Sequence, residues 1–143
     1  GGGNTKSMLA VFREWNLDKL LFKAYQEGKI LCGVSAGAIC WFEKGITDSW
    51  EGNLRVLDCL KFLPGACCPH YDGEEKRRPA VEKFINNNKI SEAICIEDGA
   101  AVHYQNNIFK TAISFYSDKN AYNVMIKDNE LKEFPLNKID ISL

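Results

Sequence analysis

The pentapeptide GVSAG at residues 33–37 constrains the fold more than any other stretch of this chain. It follows a short apolar segment, residues 29–33, which predicts a strand covered on both faces. A helix is predicted directly behind it, over residues 36–42. A serine on a tight strand-to-helix turn tolerates only small neighbours, so the pattern predicts a nucleophile elbow with Ser35 at its tip. The alternative is a plain turn capped by a serine.

The remaining segments alternate between helical and strand patterns, which is typical of α/β proteins. Apolar spacing predicts helices, and short apolar runs between turn residues predict strands. The predicted helices cover residues 5–15, 18–27 and 78–85, and the predicted buried strands cover residues 60–68 and 94–96. Two C-terminal hairpins are predicted over 101–105 with 108–111 and over 122–127 with 130–134, while residues 45–58 are expected to be irregular.

Composition excludes several classes of protein. The chain has eighteen Lys and Arg and nineteen Asp and Glu, a formal net charge of −1. This balance gives no reason to expect nucleic acid or a membrane surface as partner. No apolar run approaches the roughly 18 residues of a membrane span, and no leader pattern opens the chain, so we expect a cytoplasmic protein. The six cysteines include no C-x-x-C pair, and Cys32, Cys40 and Cys95 lie in apolar runs. We therefore expect reduced, mostly buried thiols and no metal site.

A nucleophilic serine needs a base within hydrogen-bonding reach, and the chain has two histidines. His70 follows a predicted buried strand. The carboxyl ends of the strands of an α/β sheet point towards the active crevice, so His70 is expected there. His103 lies within a predicted hairpin strand, where an alternating polar side chain is expected. Position therefore favours His70 as the base.

The third member of such a site is a carboxylate that orients the imidazole. Asp98 and Glu97 both follow the predicted strand at residues 94–96, and both stay open as candidates. Asp72 is too close to His70 in sequence for good orienting geometry. The chain order is serine, histidine, acid, whereas an α/β-hydrolase has serine, acid, histidine, so a hydrolase of that fold is not expected.

Four blocks together resemble the peptidase E family, which comprises the aspartyl dipeptidases and relatives that include cyanophycinase. The blocks are GGGNT at 1–5, GVSAGA at 33–38, PHYDGE at 69–74 and EDGAA at 97–101. The resemblance implies a doubly wound, mostly parallel α/β sheet with flanking helices, related to class I glutamine amidotransferases, here followed by the C-terminal β-hairpins. It also implies a serine nucleophile in place of the amidotransferase cysteine.

The resemblance further implies particular residues for the site. Ser35 would be the nucleophile, His70 the base and Asp98 or Glu97 the acid, with the backbone N–H groups of Gly3 and Ala36 as oxyanion donors. Removal of an N-terminal aspartate from a dipeptide would require a guanidinium for the substrate carboxylate, and Arg77 and Arg78 are the candidates. No metal or cofactor is implied, and the expected partner is a small peptide.

Members of the family are longer at the front than this chain, which opens on three glycines before a predicted helix. We therefore expect residues 1–143 to be one catalytic domain that is N-terminally incomplete, with a preceding segment or a second copy covering the open sheet edge. The sequence favours a serine dipeptidase acting on Asp-X peptides. A related hydrolase of isoaspartyl or cyanophycin-type peptides and an inactive fragment or binding module are the alternatives.

Overall fold

The computed structural model of the protein describes residues 1–141, so the last two residues of the predicted domain lie outside the described residues. The helices are α1 (Thr5–Glu14), α2 (Leu17–Gln26), α3 (Ala36–Ile39) and α4 (Arg77–Asn86). The strands are β1 (Phe42–Thr47), β2 (Arg55–Asp58), β3 (Leu63–Cys68), β4 (Glu92–Ile96), β5 (Ala100–Gln105), β6 (Ile108–Ser114), β7 (Ala121–Lys127), β8 (Glu130–Pro135) and β9 (Lys138–Asp140).

The strands form two sheets. The larger has six strands in the order β2-β1-β3-β4-β7-β8, and the smaller has three in the order β5-β6-β9. In the larger sheet β1, β3 and β4 run parallel, whereas β2, β7 and β8 are each antiparallel to their neighbours. The sheet is therefore mixed, and the prediction of a mostly parallel sheet is wrong for the described residues. Hairpin connections too short for a crossover force the antiparallel pairings at its edges.

The large sheet lies between two apolar layers. One face packs against α4 through Val81 and Ile85, and the other packs against α3 and the small sheet. The neighbouring residues Cys67 and Cys68 in β3 illustrate the division, because successive side chains of a strand point to opposite faces. Cys67 belongs to the cluster with Ile39, and Cys68 to the cluster on the α4 side. The two adjacent cysteines thus pack on opposite faces of a central strand.

Most local predictions are confirmed. All the helices predicted outside the elbow region form, and α1 begins at an N-cap where the Asn4 side chain accepts a hydrogen bond from the Ser7 N–H. Both hairpins form, with positive φ at the two central residues of each turn, Asn106–Asn107 and Asp128–Asn129. Such turns match the twist of paired strands, and asparagine tolerates their left-handed backbone. The short strand β9, which pairs with β6, was not predicted.

The region around the elbow differs from prediction in three ways. Residues 29–33 form no strand, Ile30 is 92% exposed and Cys32 is exposed, because no strand among residues 1–141 pairs with this apolar run. The helix predicted over 36–42 stops at Ile39, since Phe42 already enters β1. Residues 45–58, expected to be irregular, contribute to the antiparallel pair of β1 and β2.

None of the described helices combines the length and apolar character needed to cross a bilayer.

Candidate active site

Ser35 occupies a strained turn immediately before α3. Its backbone has φ 52° and ψ −115°, a conformation that is costly for a residue with a side chain. The turn closes because Gly33 has no Cβ: a methyl group there would lie 2.0 Å from the carbonyl oxygen of Gly37. The Gly37 N–H donates to the carbonyls of both Val34 and Gly1, so the N-terminal glycine loop packs against the turn. The elbow predicted from GVSAG is present, although no paired strand leads into it.

His70 and Asp98 come from the carboxyl ends of two neighbouring parallel strands. His70 follows β3, Asp98 follows β4, and the two strands pair from Ala66 to Cys68. The two loops are tied together, because the Tyr71 N–H donates to the Ile96 carbonyl over 3.0 Å. Parallel pairing therefore brings side chains 28 residues apart in sequence to one edge of the sheet.

The three side chains form a continuous hydrogen-bonded chain. His70 Nε2 lies 2.9 Å from Ser35 Oγ, and His70 Nδ1 lies 2.6 Å from Asp98 Oδ1. A carboxylate only accepts, so Nδ1 carries the proton and donates to Asp98, which leaves Nε2 free to accept from the serine hydroxyl. This is the tautomer that a general base facing a serine requires.

Glu97, the rival acid, is turned away from the histidine. Its side chain is only 9% exposed, and its Oε2 accepts the backbone N–H of Asn120 over 2.9 Å. Its other oxygen lies 3.5 Å from the guanidinium of Arg78. Of the two acids, Asp98 therefore faces His70, and Glu97 does not.

The two candidate arginines have different environments. Arg77 is 2% exposed, and its guanidinium donates to Glu74 Oε2 and to the Ile46 carbonyl at 2.8 and 2.9 Å. These two hydrogen bonds hold the guanidinium inside the protein, and substrate binding by Arg77 stays a prediction. The Arg78 side chain is 43% exposed, lies over the ring of Tyr71 and pairs with Glu133 and Glu97. Among residues 1–141, no hydrogen bond or ion pair links either arginine to Ser35, His70 or Asp98.

The structure also gives the positions of the other residues considered from the sequence. His103 lies exposed on β5 and takes no part in the hydrogen-bonded chain. The N–H groups of Gly3 and Ala36 donate to no protein acceptor within the described residues. A Cβ added at Gly2 would lie 3.7 Å from the Cβ of Ser35, so the glycine loop passes beside the turn. Across residues 1–141, no set of three His, Cys, Asp or Glu side chains is grouped to hold a metal ion.

Two residues near Asp98 were not assigned to the site from sequence. Asp72 Oδ1 accepts the backbone N–H of Asp98 over 2.8 Å, and Asp72 Oδ2 accepts from Lys119 Nζ over 2.6 Å. Partial burial raises the pKa of Asp72, but these two hydrogen bonds outweigh it and hold that pKa below its ordinary value. The hydrogen bond to Asp72 in turn raises the pKa of Lys119. Lys119 lies in a polar turn between β6 and β7, and no sequence signal distinguishes it from a solvated lysine.

Comparison with known proteins gives two matches. The family model described as "Peptidase family S51" matches residues 1–112. A protein of Bacillus subtilis (strain 168) named "Uncharacterized peptidase YgaJ" is 46% identical over 136 residues, which cover 95% of this chain. The chain spans 59% of the length of that relative.

Proposed function

Because this chain belongs to peptidase family S51, we propose that it is a serine-type dipeptidase that cleaves peptides with an N-terminal aspartate through an acyl-enzyme. The hydrogen-bonded chain from Ser35 through His70 to Asp98 is the single observation that carries the proposal. A serine hydroxyl at its ordinary pKa is a weak nucleophile, and an aligned imidazole with an orienting carboxylate is what activates it.

In this mechanism Ser35 Oγ attacks the scissile carbonyl carbon while His70 Nε2 takes the hydroxyl proton. The carbonyl oxygen becomes an oxyanion in the tetrahedral intermediate. Its collapse breaks the C–N bond, and His70 Nε2 returns the proton to the leaving amine. Water then attacks the Ser35 ester with His70 again as base, which releases aspartate and the free serine. Asp98 stabilises the imidazolium in both half-reactions without taking its proton.

The backbone N–H groups of Gly3 and Ala36 are the proposed oxyanion donors. Both amides lack a protein acceptor among the described residues, which leaves them available for a substrate oxygen. Donors held in place before the reaction stabilise developing charge without reorganising. The packing of the glycine loop against the Ser35 turn supports this assignment, since it brings the two peptide segments into contact.

Specificity for aspartate rests on the four sequence blocks shared with the peptidase E family. Of the two arginines proposed to bind the substrate carboxylate, Arg78 is the accessible one. Its present partners Glu133 and Glu97 would have to share it with a substrate. Comparing α-aspartyl with β-aspartyl dipeptides as substrates separates this proposal from the isoaspartyl alternative.

The decisive experiment is the hydrolysis of Asp-Leu by the Ser35→Ala variant. We expect turnover to fall by about 10³-fold or more, because the attacking atom is lost. Ser91→Ala, on an exposed serine before β4, is the matched control and should retain wild-type turnover. A Ser35→Ala protein that cleaves Asp-Leu at the wild-type rate would end the proposed mechanism.

A further inference from the structure

The carboxylate of Asp98 has little to hold it in position. Its side chain is 55% exposed, and within residues 1–141 its only hydrogen-bonding partner is His70 Nδ1. An exposed carboxylate on a turn is free to change rotamer unless its backbone is fixed. The position of the Asp98 backbone therefore decides how well the carboxylate faces the imidazole.

Asp72 supplies that fixed point from a different loop. Its Oδ1 accepts the Asp98 N–H over 2.8 Å, and its side chain is 21% exposed. The carboxylate of Asp72 is itself fixed on its other oxygen, where Lys119 Nζ donates over 2.6 Å. The chain of contacts runs from the β6–β7 connection, through the loop after β3, to the turn after β4.

We propose that Asp72 and Lys119 are positioning residues that hold the Asp98 backbone so that its carboxylate stays aligned with His70 Nδ1. The consequence for catalysis rests on the proposed function. Lys119 also balances the charge of Asp72, so the Asp98 carboxylate does not face an unpaired second carboxylate. Lys119 lies beyond residue 112, where the family match ends, so the C-terminal part of the chain contributes to the site.

The test measures the rate at which a fluorophosphonate labels Ser35, followed by intact mass, alongside Asp-Leu hydrolysis. We expect Asp72→Ala and Lys119→Met to be labelled about 10- to 100-fold more slowly, since small displacements of a catalytic group cost this much. The value of kcat should fall in parallel while KM stays near that of the wild type. Ser35→Ala provides the unlabelled blank.

Conservative variants separate positioning from a general loss of structure. Asp72→Asn keeps an oxygen that accepts the Asp98 N–H, and Lys119→Arg keeps a charged donor, so both should recover most of the labelling rate. Asp128→Ala and Lys132→Met are matched controls. They break an exposed 3.2 Å pair at the opposite end of β7 and should be labelled like the wild type.

The outcomes distinguish the two proposals. Wild-type protein that is labelled at Ser35 but does not cleave Asp-Leu contradicts the proposed substrate and leaves positioning measurable by labelling. Folded Asp72→Ala and Lys119→Met proteins that are labelled as fast as the wild type overturn the positioning role. If Asp72→Ala does not fold, Lys119→Met compared with Lys119→Arg decides the question, and equal rates for that pair overturn it.

Discussion

At the scale of single residues, the site depends on backbone conformations that residues other than glycine normally avoid. Ser35 and His70 both have positive φ, 52° and 53°. Such conformations cost on the order of 1–3 kcal/mol each and persist only where surrounding contacts impose them. At Ser35 those contacts are the small residues of the turn, and at His70 they include the bond from its neighbour Tyr71 to the end of β4. The side chains of Ser35 and His70 are thus held in place by surrounding contacts that impose a strained backbone.

Gly73 provides a residue-scale prediction. A Cβ at this position would lie 2.2 Å from Asp98 Oδ2, so Gly73→Ala must push the Asp98 carboxylate aside. We expect kcat for Asp-Leu to fall about 10- to 100-fold, because the imidazole loses its orienting partner. The thermal midpoint should change little, since the displaced atoms are the end of an exposed side chain.

The control for Gly73→Ala is the same change in an Asp98→Ala background. If glycine acts through the carboxylate, the second substitution should add almost nothing to the first. A full additional loss of kcat in the double variant would contradict this explanation.

At the scale of elements, α4 shows how two adjacent residues of one helix diverge in role. Arg77 points inward to the Ile46 carbonyl of β1, whereas Arg78 lies over Tyr71 at the sheet surface. Consecutive helical residues are separated by about 100°, so one can be buried while the next is exposed. The helix therefore uses Arg77 to anchor itself to the sheet and leaves Arg78 accessible.

Arg77→Lys tests this division. A lysine cannot reproduce the two directed guanidinium bonds to Glu74 and Ile46, and the carbonyl would lose its donor. We expect the free energy of unfolding to fall by about 1–3 kcal/mol, measured by denaturant titration, with KM for Asp-Leu unchanged. The matched variant Arg78→Lys should be less destabilised. A rise in KM confined to Arg77→Lys would instead support substrate binding by Arg77.

At the scale of the whole molecule, the packing of helices and sheets separates five cysteines from the sixth. Five of the six thiols are buried between layers and Cys32 is exposed, and all six are free. Burial raises the pKa of Cys40 and of Cys59 to about 12. Because the thiolate is the reactive form, a raised pKa and burial both suppress reaction.

We therefore expect iodoacetamide at about pH 8 to modify one thiol per folded chain, at Cys32, because the other five are buried. Intact mass before and after unfolding measures the number modified, which should rise to six on unfolding. Cys32→Ser should abolish the fast reaction. Rapid modification of several thiols in the native protein would mean that the layers are not packed as described.

The sequence by itself determined the elements that depend on neighbouring residues, which are the two hairpin turns and the turn at Ser35. The asparagine-rich turns specify their hairpins because few residues tolerate a left-handed backbone, and the small residues of GVSAG specify the tight turn at Ser35. Residues 29–33 show the limit of such signals. An apolar run favours a buried strand, but Ile30 and Cys32 stay exposed because no strand among residues 1–141 pairs with this segment.

Only the tertiary structure decided which side chains meet. Asp98 and Glu97 are both carboxylates and adjacent in the chain, so the sequence does not distinguish them. In the structure Asp98 contacts His70, whereas Glu97 accepts the backbone N–H of Asn120. The same holds for Lys119, which reaches Asp72 across 47 residues of sequence. Strand order and register set these contacts, and both depend on long-range pairing rather than on neighbouring residues.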